Sequence, residues 1–318
     1  MITSTIDEIG NGATQGNGTV SRAVTEMNKN GKLRPFYELA HLYSDRMPLS
    51  PFSDRIAFTY KPTTYIPALL HAGNGESVSG QLDSQGTKMD ALGHFGYIDT
   101  EGVTKYYGGL TQAEVKPTDT SPLLHLGIDR APPIVTSAML LDAKKLKGRS
   151  MTFGEQVTAA DIKAMIASQN LRDLLPGDVL LIYTGWEEKW QDDNADPTRT
   201  DYYSSGPGLS RDAAFYIATK KIVCLGMDVP FLDAVNKRLF EGAVERPTDA
   251  PAGLPFFVHH NNLTQAGIYQ VHNMHLAELA ADKVYLSGIF ILPIRVRGGA
   301  NSAVRPVAIG RPYNPNAP

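Results

Sequence analysis

Cysteine is almost absent from this chain, whose 318 residues include only Cys224. A single cysteine cannot form an internal disulfide framework or a C-x-x-C metal or redox site. Cys224 lies within the apolar run KIVCLGMD, where a free thiol is usually buried. We therefore expect a structural thiol rather than a nucleophile.

Excess charge and long apolar segments are also missing. The formal net charge of -3 gives no electrostatic reason to expect nucleic acid or an acidic membrane surface as a partner. No stretch approaches the roughly 18 apolar residues that span a bilayer, and the first residues lack the pattern of a signal peptide. These absences favour a cytoplasmic protein without membrane contact.

Several standard catalytic motifs do not occur. The sequence has no G-x-S-x-G elbow, Walker A loop, G-x-G-x-x-G fingerprint or H-E-x-x-H helix. The glycines of GNGATQG near the start have the wrong spacing for a dinucleotide loop and follow no predicted strand. Serine-hydrolase and dinucleotide-binding functions are therefore disfavoured.

Composition along the chain predicts one domain preceded by an arm. Residues 1–30 are rich in Gly, Asn, Ser and Thr and hold few large apolar side chains, so we expect a flexible N-terminal arm. No linker or repeat divides the remainder, which favours a single domain over residues 31–318.

The segments within this domain alternate between strands and helices. PGDVLLIYTGW, KIVCLGMDVPFLD and KVYLSGIFILPIRV predict strands that are buried on both faces. VTAADIKAMIASQN predicts a helix capped by Thr158, with Asp161 three residues on, and LSRDAAFYIATKK a helix capped by Ser210. This order predicts an α/β fold with a mixed sheet.

Histidine is concentrated near the C-terminal end. Half of the eight histidines fall within HHNNLTQAGIYQVHNMH, namely His259, His260, His272 and His275. Such a cluster favours a metal site, because neutral imidazole binds Zn, Mn or Fe and a carboxylate commonly completes the ligand set.

The stretch SQGTKMDALGHF supplies such a carboxylate. It brings Lys88, Asp90 and His94 within seven positions, and the four-residue spacing puts Asp90 and His94 on one side of a strand or helix turn. The stretch alone favours a turn-capping aspartate beside an exposed histidine. Together with the C-terminal histidines, it favours a functional site.

These residues resemble a known family. GTKMDALGH is similar to the motif H-x-G-T-H-x-D-x-P-x-H of the cyclase family, which includes kynurenine formamidase, isatin hydrolase and trans-dienelactone hydrolases. YELAHLYSDRMP, PGDVLLIYTGWEEKW, GPGLSRDAAFYIATKKIVCLGMDVPFLD and LPIRVRGGANSAVRPVAI resemble further family segments, so the similarity covers roughly residues 35–310. It implies a mixed sheet partly curled into a barrel with flanking helices, the kynurenine formamidase-like swivelling fold, in a homodimer or higher homo-oligomer.

The resemblance also implies a metal site, with departures. Gly86, Thr87, Asp90 and His94 match the motif, whereas Ser84, Lys88 and Leu92 replace its first His, its second His and its Pro. Because the two missing histidines help to hold one of two metals in binuclear members, we expect a single divalent ion. The ligands that the resemblance implies are Asp90, His260 and His272, with zinc expected and manganese as the alternative.

Further roles follow from this interpretation. His94 is the expected general acid/base, since imidazole titrates near neutral pH. Lys88 either meets negative charge on the substrate or forms a plain ion pair with Asp90, its ammonium in solvent. The expected substrate contacts are Trp186, Tyr97, Gln270 and Ser84, with core packing as an equal alternative for Trp186 and Tyr97. We expect His259 and His275 to point away from the metal.

The predicted activity is metal-dependent hydrolysis of a small molecule, either a lactone or a cyclic or aryl amide. The departures from the formamidase pattern favour a lactone, such as a dienelactone-type intermediate of aromatic catabolism. One alternative is a lyase or cyclase that acts through a metal-held enolate. The other is an inactive small-molecule binding protein.

Overall fold

The computed structural model describes residues 6–50, 56–63, 70–81, 85–196, 200–235 and 247–314. Ser84, one of the predicted substrate contacts, lies outside the described residues. None of the helices within these ranges combines the length and apolar character needed to cross a membrane.

The strands alternate with short helices along the chain. The strands are β1 Tyr37–Glu38, β2 Thr59–Thr63, β3 Gly75–Ser79, β4 Lys88–Asp90, β5 Tyr97–Ile98, β6 Thr104–Lys105, β7 Ile134–Asp142, β8 Gln156–Val157, β9 Val179–Tyr183, β10 Gly208–Leu209, β11 Cys224–Met227, β12 Tyr269–His272, β13 Leu286–Ile291, β14 Asn301–Ala303 and β15 Val307–Gly310. The α-helices are α1 Asn17–Met27, α2 Gln112–Val115, α3 Ala143–Lys147, α4 Ala159–Ser168, α5 Asp201–Ser204, α6 Arg211–Thr219, α7 Phe257–His259 and α8 Ala277–Ala281. A π-helix, His260–Ala266, continues α7, and 3-10 helices cover Gly10–Thr14, Leu92–His94, Tyr107–Gly109 and Trp186–Lys189.

Among the described strands, nine form one mixed sheet in the order β1-β15-β13-β7-β9-β11-β12-β4-β14. β7, β9, β11 and β12 run parallel, and the strands on either side of them pair antiparallel. The sheet is curled into a half-barrel with flanking helices. The predicted fold class, a mixed sheet partly curled into a barrel, is therefore confirmed.

The centre of the sheet is buried on both faces. All five residues of β9 are buried, and their side chains alternate between two apolar clusters. Helices α4 and α6 contribute apolar side chains to one cluster, so they cover that face of the sheet. Cys224 is fully buried in β11, as expected for a structural thiol.

The predicted helix starts are present. Thr158 Oγ1 accepts the backbone N–H of Asp161, whose carboxylate accepts the Thr158 N–H in return. Ser210 Oγ accepts the N–H of Ala213 at the start of α6. Each bond satisfies a donor that the first helical turn cannot use internally, which is why these residues mark helix beginnings.

The N-terminal segment, for which we expected a flexible arm, includes a helix that lies on the sheet. Helix α1 packs against β7 and β13 and buries Thr19, Ala23 and Glu26. A Cβ atom at Gly288 in β13 would lie only 2.6 Å from the Ala23 carbonyl oxygen. Close approach through small residues holds this helix on the sheet, so the packing needs few large apolar side chains. The division into an arm and a single domain stays a prediction.

Candidate metal centre

Two neighbouring strands bring the candidate residues to one face of the sheet. β4 pairs antiparallel with β12, so Asp90 lies opposite Gln270 and Lys88 lies opposite His272. Residues two apart on a strand share a face, and these four side chains therefore point to the same side. Asp90 and Gln270 are fully buried, and His272 and Lys88 nearly so.

Asp90 is the centre of this group. Its Oδ1 accepts a hydrogen bond from Lys88 Nζ at 2.7 Å. Its Oδ2 faces three imidazole Nε2 atoms, those of His272 at 2.8 Å, His94 at 3.7 Å and His259 at 3.9 Å. The carboxylate thus uses one oxygen for an ammonium and turns the other toward three nitrogens.

The tautomer of His272 creates an electrostatic conflict with Asp90. His272 Nδ1 donates to the Pro230 carbonyl at 3.0 Å, because a carbonyl can only accept. Burial, with a further contribution from Lys88, outweighs the opposing effect of Asp90 and lowers the pKa of His272 to about 3, so the ring is neutral and Nε2 carries a lone pair. Neither that nitrogen nor Asp90 Oδ2 has a hydrogen-bond partner within the described part of the chain. Two acceptor atoms therefore face each other at 2.8 Å.

His259 is held by a second carboxylate. Its Nδ1 lies 2.5 Å from Asp233 Oδ2, so this nitrogen donates and Nε2 is directed at Asp90. Asp233 also accepts the backbone N–H groups of Val258 and His259 at the start of α7. A carboxylate behind an imidazole fixes its tautomer and raises its basicity as a ligand.

The charge state of Asp90 suits cation binding. Burial alone would raise the pKa of its carboxyl, but His94 and Lys88 outweigh this effect and hold the pKa well below its usual range. The carboxylate is therefore ionised at neutral pH. Lys88 is itself buried, so its ammonium is not in solvent, and the plain surface ion pair does not describe it.

His260 does not take the position that the resemblance implied. Its Nδ1 lies 3.1 Å from Thr264 Oγ1, and its ring packs edge-on against Tyr97 at a centroid distance of 4.9 Å. The neighbouring His259 faces Asp90 instead, so the expectation that His259 points away is wrong. Successive helical residues point about 100° apart, and the contacts of Asp233 with α7 decide which histidine turns inward.

The predicted substrate contacts have different locations. Trp186 is buried in the core, where its Nε1 donates to the Tyr202 carbonyl at 3.0 Å. Tyr97 lies against His260 rather than in the Asp90 group. Gln270 is part of that group, and its buried Oε1 has no hydrogen-bond partner among the described residues.

The donor set fits a divalent cation. Asp90, His94 and His259 each offer a ligand atom within 4.8 Å of the others, and His272 adds a fourth donor 2.8 Å from Asp90. Ligand atoms bound tetrahedrally to one zinc ion lie about 2.0–2.2 Å from it and hence about 3.3–3.6 Å apart. A cation bound by Asp90 Oδ2 and His272 Nε2 would also remove the repulsion between the lone pairs of these two atoms.

Sequence reasoning missed His259 and Asp233. The doublet His259–His260 could not be resolved from periodicity, since the chain passes from an α-helix to a π-helix at this point. Asp233 gave a weak signal, as the carboxylate that ends the largely apolar run KIVCLGMDVPFLD.

One family model, described as "Putative cyclase", matches residues 37–234 of the chain. This range includes Lys88, Asp90, His94 and Asp233. None of the curated proteins matches the chain.

Three solved structures illustrate the likeness in fold. A novel cyclase superposes with a TM-score of 0.78 at 22% identity, over 95% of this chain and 96% of the other. Isatin hydrolase A from Ralstonia solanacearum superposes with a TM-score of 0.58 at 16% identity, over 86% of this chain and 90% of the other. A predicted metal-dependent hydrolase from Bacillus stearothermophilus superposes with a TM-score of 0.51 at 17% identity, over 87% of this chain and 98% of the other.

Proposed function

Since the chain belongs to the cyclase family, we propose that it is a metal-dependent hydrolase that opens a ring amide or lactone with water. The observation that carries this proposal is the contact of Asp90 Oδ2 with His272 Nε2, two buried acceptors at 2.8 Å. With the His272 ring neutral and its hydrogen on Nδ1, no proton joins them. A cation is the group that makes such a pair favourable.

Asp90, His259 and His272 would hold this cation. All three are buried, and protein acceptors behind the two imidazoles fix their tautomers, as is usual for metal-binding histidines. When bound, a divalent cation lowers the pKa of water from 15.7 toward about 7 and polarises a carbonyl group.

His94 is the proton carrier in this proposal. Its side chain is 22% exposed, whereas those of Asp90 and His272 are buried, so it is the imidazole that can meet water and substrate. It lies in the 3-10 helix after β4, with its Nε2 3.7 Å from Asp90 Oδ2. It would take a proton from the attacking water and return one to the nitrogen or oxygen that leaves.

Lys88 and the aromatic side chains have supporting roles. Lys88 keeps Asp90 ionised and adds positive charge beside the developing oxyanion. The rings of Phe95 and Phe256 lie 5.3 and 6.1 Å from that of His259, which gives a flat substrate an aromatic wall.

Of the two substrate classes, the cyclic amide has the better support. Isatin hydrolases are among the solved structures with this fold, and isatin is a cyclic amide fused to an aromatic ring. The sequence departures from the formamidase pattern favoured a lactone instead. We therefore rank the aryl-fused cyclic amide first and the dienelactone-type lactone second.

Metal analysis combined with a ring-opening assay tests the proposal. We expect bound zinc or manganese, of which about one ion per chain is lost in His259→Ala, and a product heavier than the substrate by one water. His94→Ala should keep the metal and lose turnover by ~10²–10⁴-fold. His125→Ala is the matched control, because the removed histidine pairs with Glu8, and it should keep both the bound metal and the turnover.

Other outcomes would replace the proposal. A product of unchanged mass would favour a lyase or cyclase, and a chain that binds no metal would favour the inactive binding protein. Metal loss in His94→Ala would make His94 a ligand instead of the proton carrier.

A further inference from the structure

We propose that His41, Glu187 and His275 form a second divalent-cation site, separate from the Asp90 centre. Their ligand atoms all lie within 4.8 Å of one another. His275 Nδ1 is 3.6 Å from Glu187 Oε2, and the rings of His41 and His275 are 5.3 Å apart. The three residues come from segments that are far apart in the sequence, after β1, after β9 and after β12.

His41 supplies the strongest indication. Its Nε2 is buried and has no hydrogen-bond partner among the described residues. The ring cannot easily turn to find one, because it stacks on Trp190 at a centroid distance of 4.1 Å and an interplanar angle of 12°. Its backbone N–H is bonded to Thr87 Oγ1, which fixes the main chain as well. A buried polar nitrogen without a partner carries a free-energy cost that a bound cation would remove.

The Glu187 carboxylate is held in a fixed orientation within the same cluster. Its Oε2 accepts the N–H of Leu276 at 2.7 Å, and its Oε1 accepts the N–H of Ala277 at 2.5 Å. These bonds fix the carboxylate, and each oxygen retains a second lone pair. Capping of α8 explains these two bonds and the approach of His275. It does not explain why His41 places a nitrogen in the same cluster.

The donor set selects the class of ion. Two imidazoles and one carboxylate are a common ligand set of Zn²⁺ with an open fourth position, and they are softer than the all-oxygen sets that Mg²⁺ and Ca²⁺ prefer. His41 also borders a cavity of about 500 Å³. Because β12 carries His272 and ends three residues before His275, an ion here would fasten the end of the strand that serves the first centre.

Zinc binding to the full-length protein tests this inference. We expect two Zn²⁺ per chain after equilibrium dialysis, and one after His41→Phe, which keeps an aromatic ring on Trp190 but removes the nitrogens. His275→Gln should also leave one ion, and His125→Ala should leave two. In the His259→Ala background, which lacks the first centre, Co²⁺ should give a d–d absorption spectrum that His41→Phe abolishes.

The outcomes separate the two sites. One Zn²⁺ in the wild type that His41→Phe does not remove would overturn the inference, and so would two ions retained in both His41→Phe and His275→Gln. One Zn²⁺ that His41→Phe removes and His259→Ala retains would support this site while contradicting the first one. Circular dichroism on each variant confirms that binding is measured on folded protein.

Discussion

Asp233→Asn is the sharpest perturbation of the candidate metal centre, because it changes no ligand directly. The aspartate accepts Val258 N–H through Oδ1 at 2.6 Å, which an asparagine oxygen can still do. The other position becomes an NH₂ group facing His259 Nδ1, where Oδ2 now lies at 2.5 Å. Two donors cannot face each other there, so the imidazole hydrogen should move to Nε2. His259 then loses the lone pair that points at Asp90.

The expected magnitude follows from the role of this carboxylate. Removing the partner behind a metal-binding histidine typically costs 10–100-fold in metal affinity, or about 1.4–2.8 kcal/mol. Competition with a chromogenic chelator measures the zinc affinity directly, without reference to any substrate. Far-UV circular dichroism and thermal unfolding of the same samples show whether the variant is folded.

Asp142→Asn is the matched control. Asp142 also accepts a backbone N–H at the start of a helix, that of Lys145 in α3, and should keep the wild-type zinc affinity. The reasoning fails if Asp233→Asn binds zinc as tightly as the wild type, or if both variants lose affinity equally.

Three further outcomes are expected. His259→Ala should abolish metal binding at the first centre while His260→Ala leaves it intact, as measured by metal content; the reverse result would restore the ligand set implied by the resemblance. Lys88→Met should lower the free energy of unfolding by about 3–5 kcal/mol in urea titrations, because it leaves a buried carboxylate without its cation, and an unchanged midpoint would contradict this. Gly208→Ala should lower thermal stability and zinc affinity together, because its Cβ would lie 2.2 Å from the main-chain carbon of Asp233; a variant with normal affinity would show that this segment can shift freely.

The local features of the fold could be read from the sequence. The apolar run of β9 predicts a strand buried on both faces, since only such a strand has no polar side. Thr158 and Ser210 predict helix starts through the hydrogen bonds that their side chains make. Asp90, His94 and His272 could be brought to one site from the family resemblance together with the histidine cluster. In each case a short stretch of residues carries the physical signal.

Other features depend on contacts between distant segments. The choice of His259 over His260 rests on Asp233, which belongs to a different strand connection and anchors α7 by its backbone. The packing of α1 rests on Gly288, whose missing side chain lets the helix approach the sheet. The pairing of Lys88 with a buried Asp90, and the meeting of His41 with Glu187 and His275, likewise exist only once the sheet has formed. Sequence periodicity specifies which face of a helix or strand is apolar. Only tertiary packing decides which polar atoms come together in one buried site.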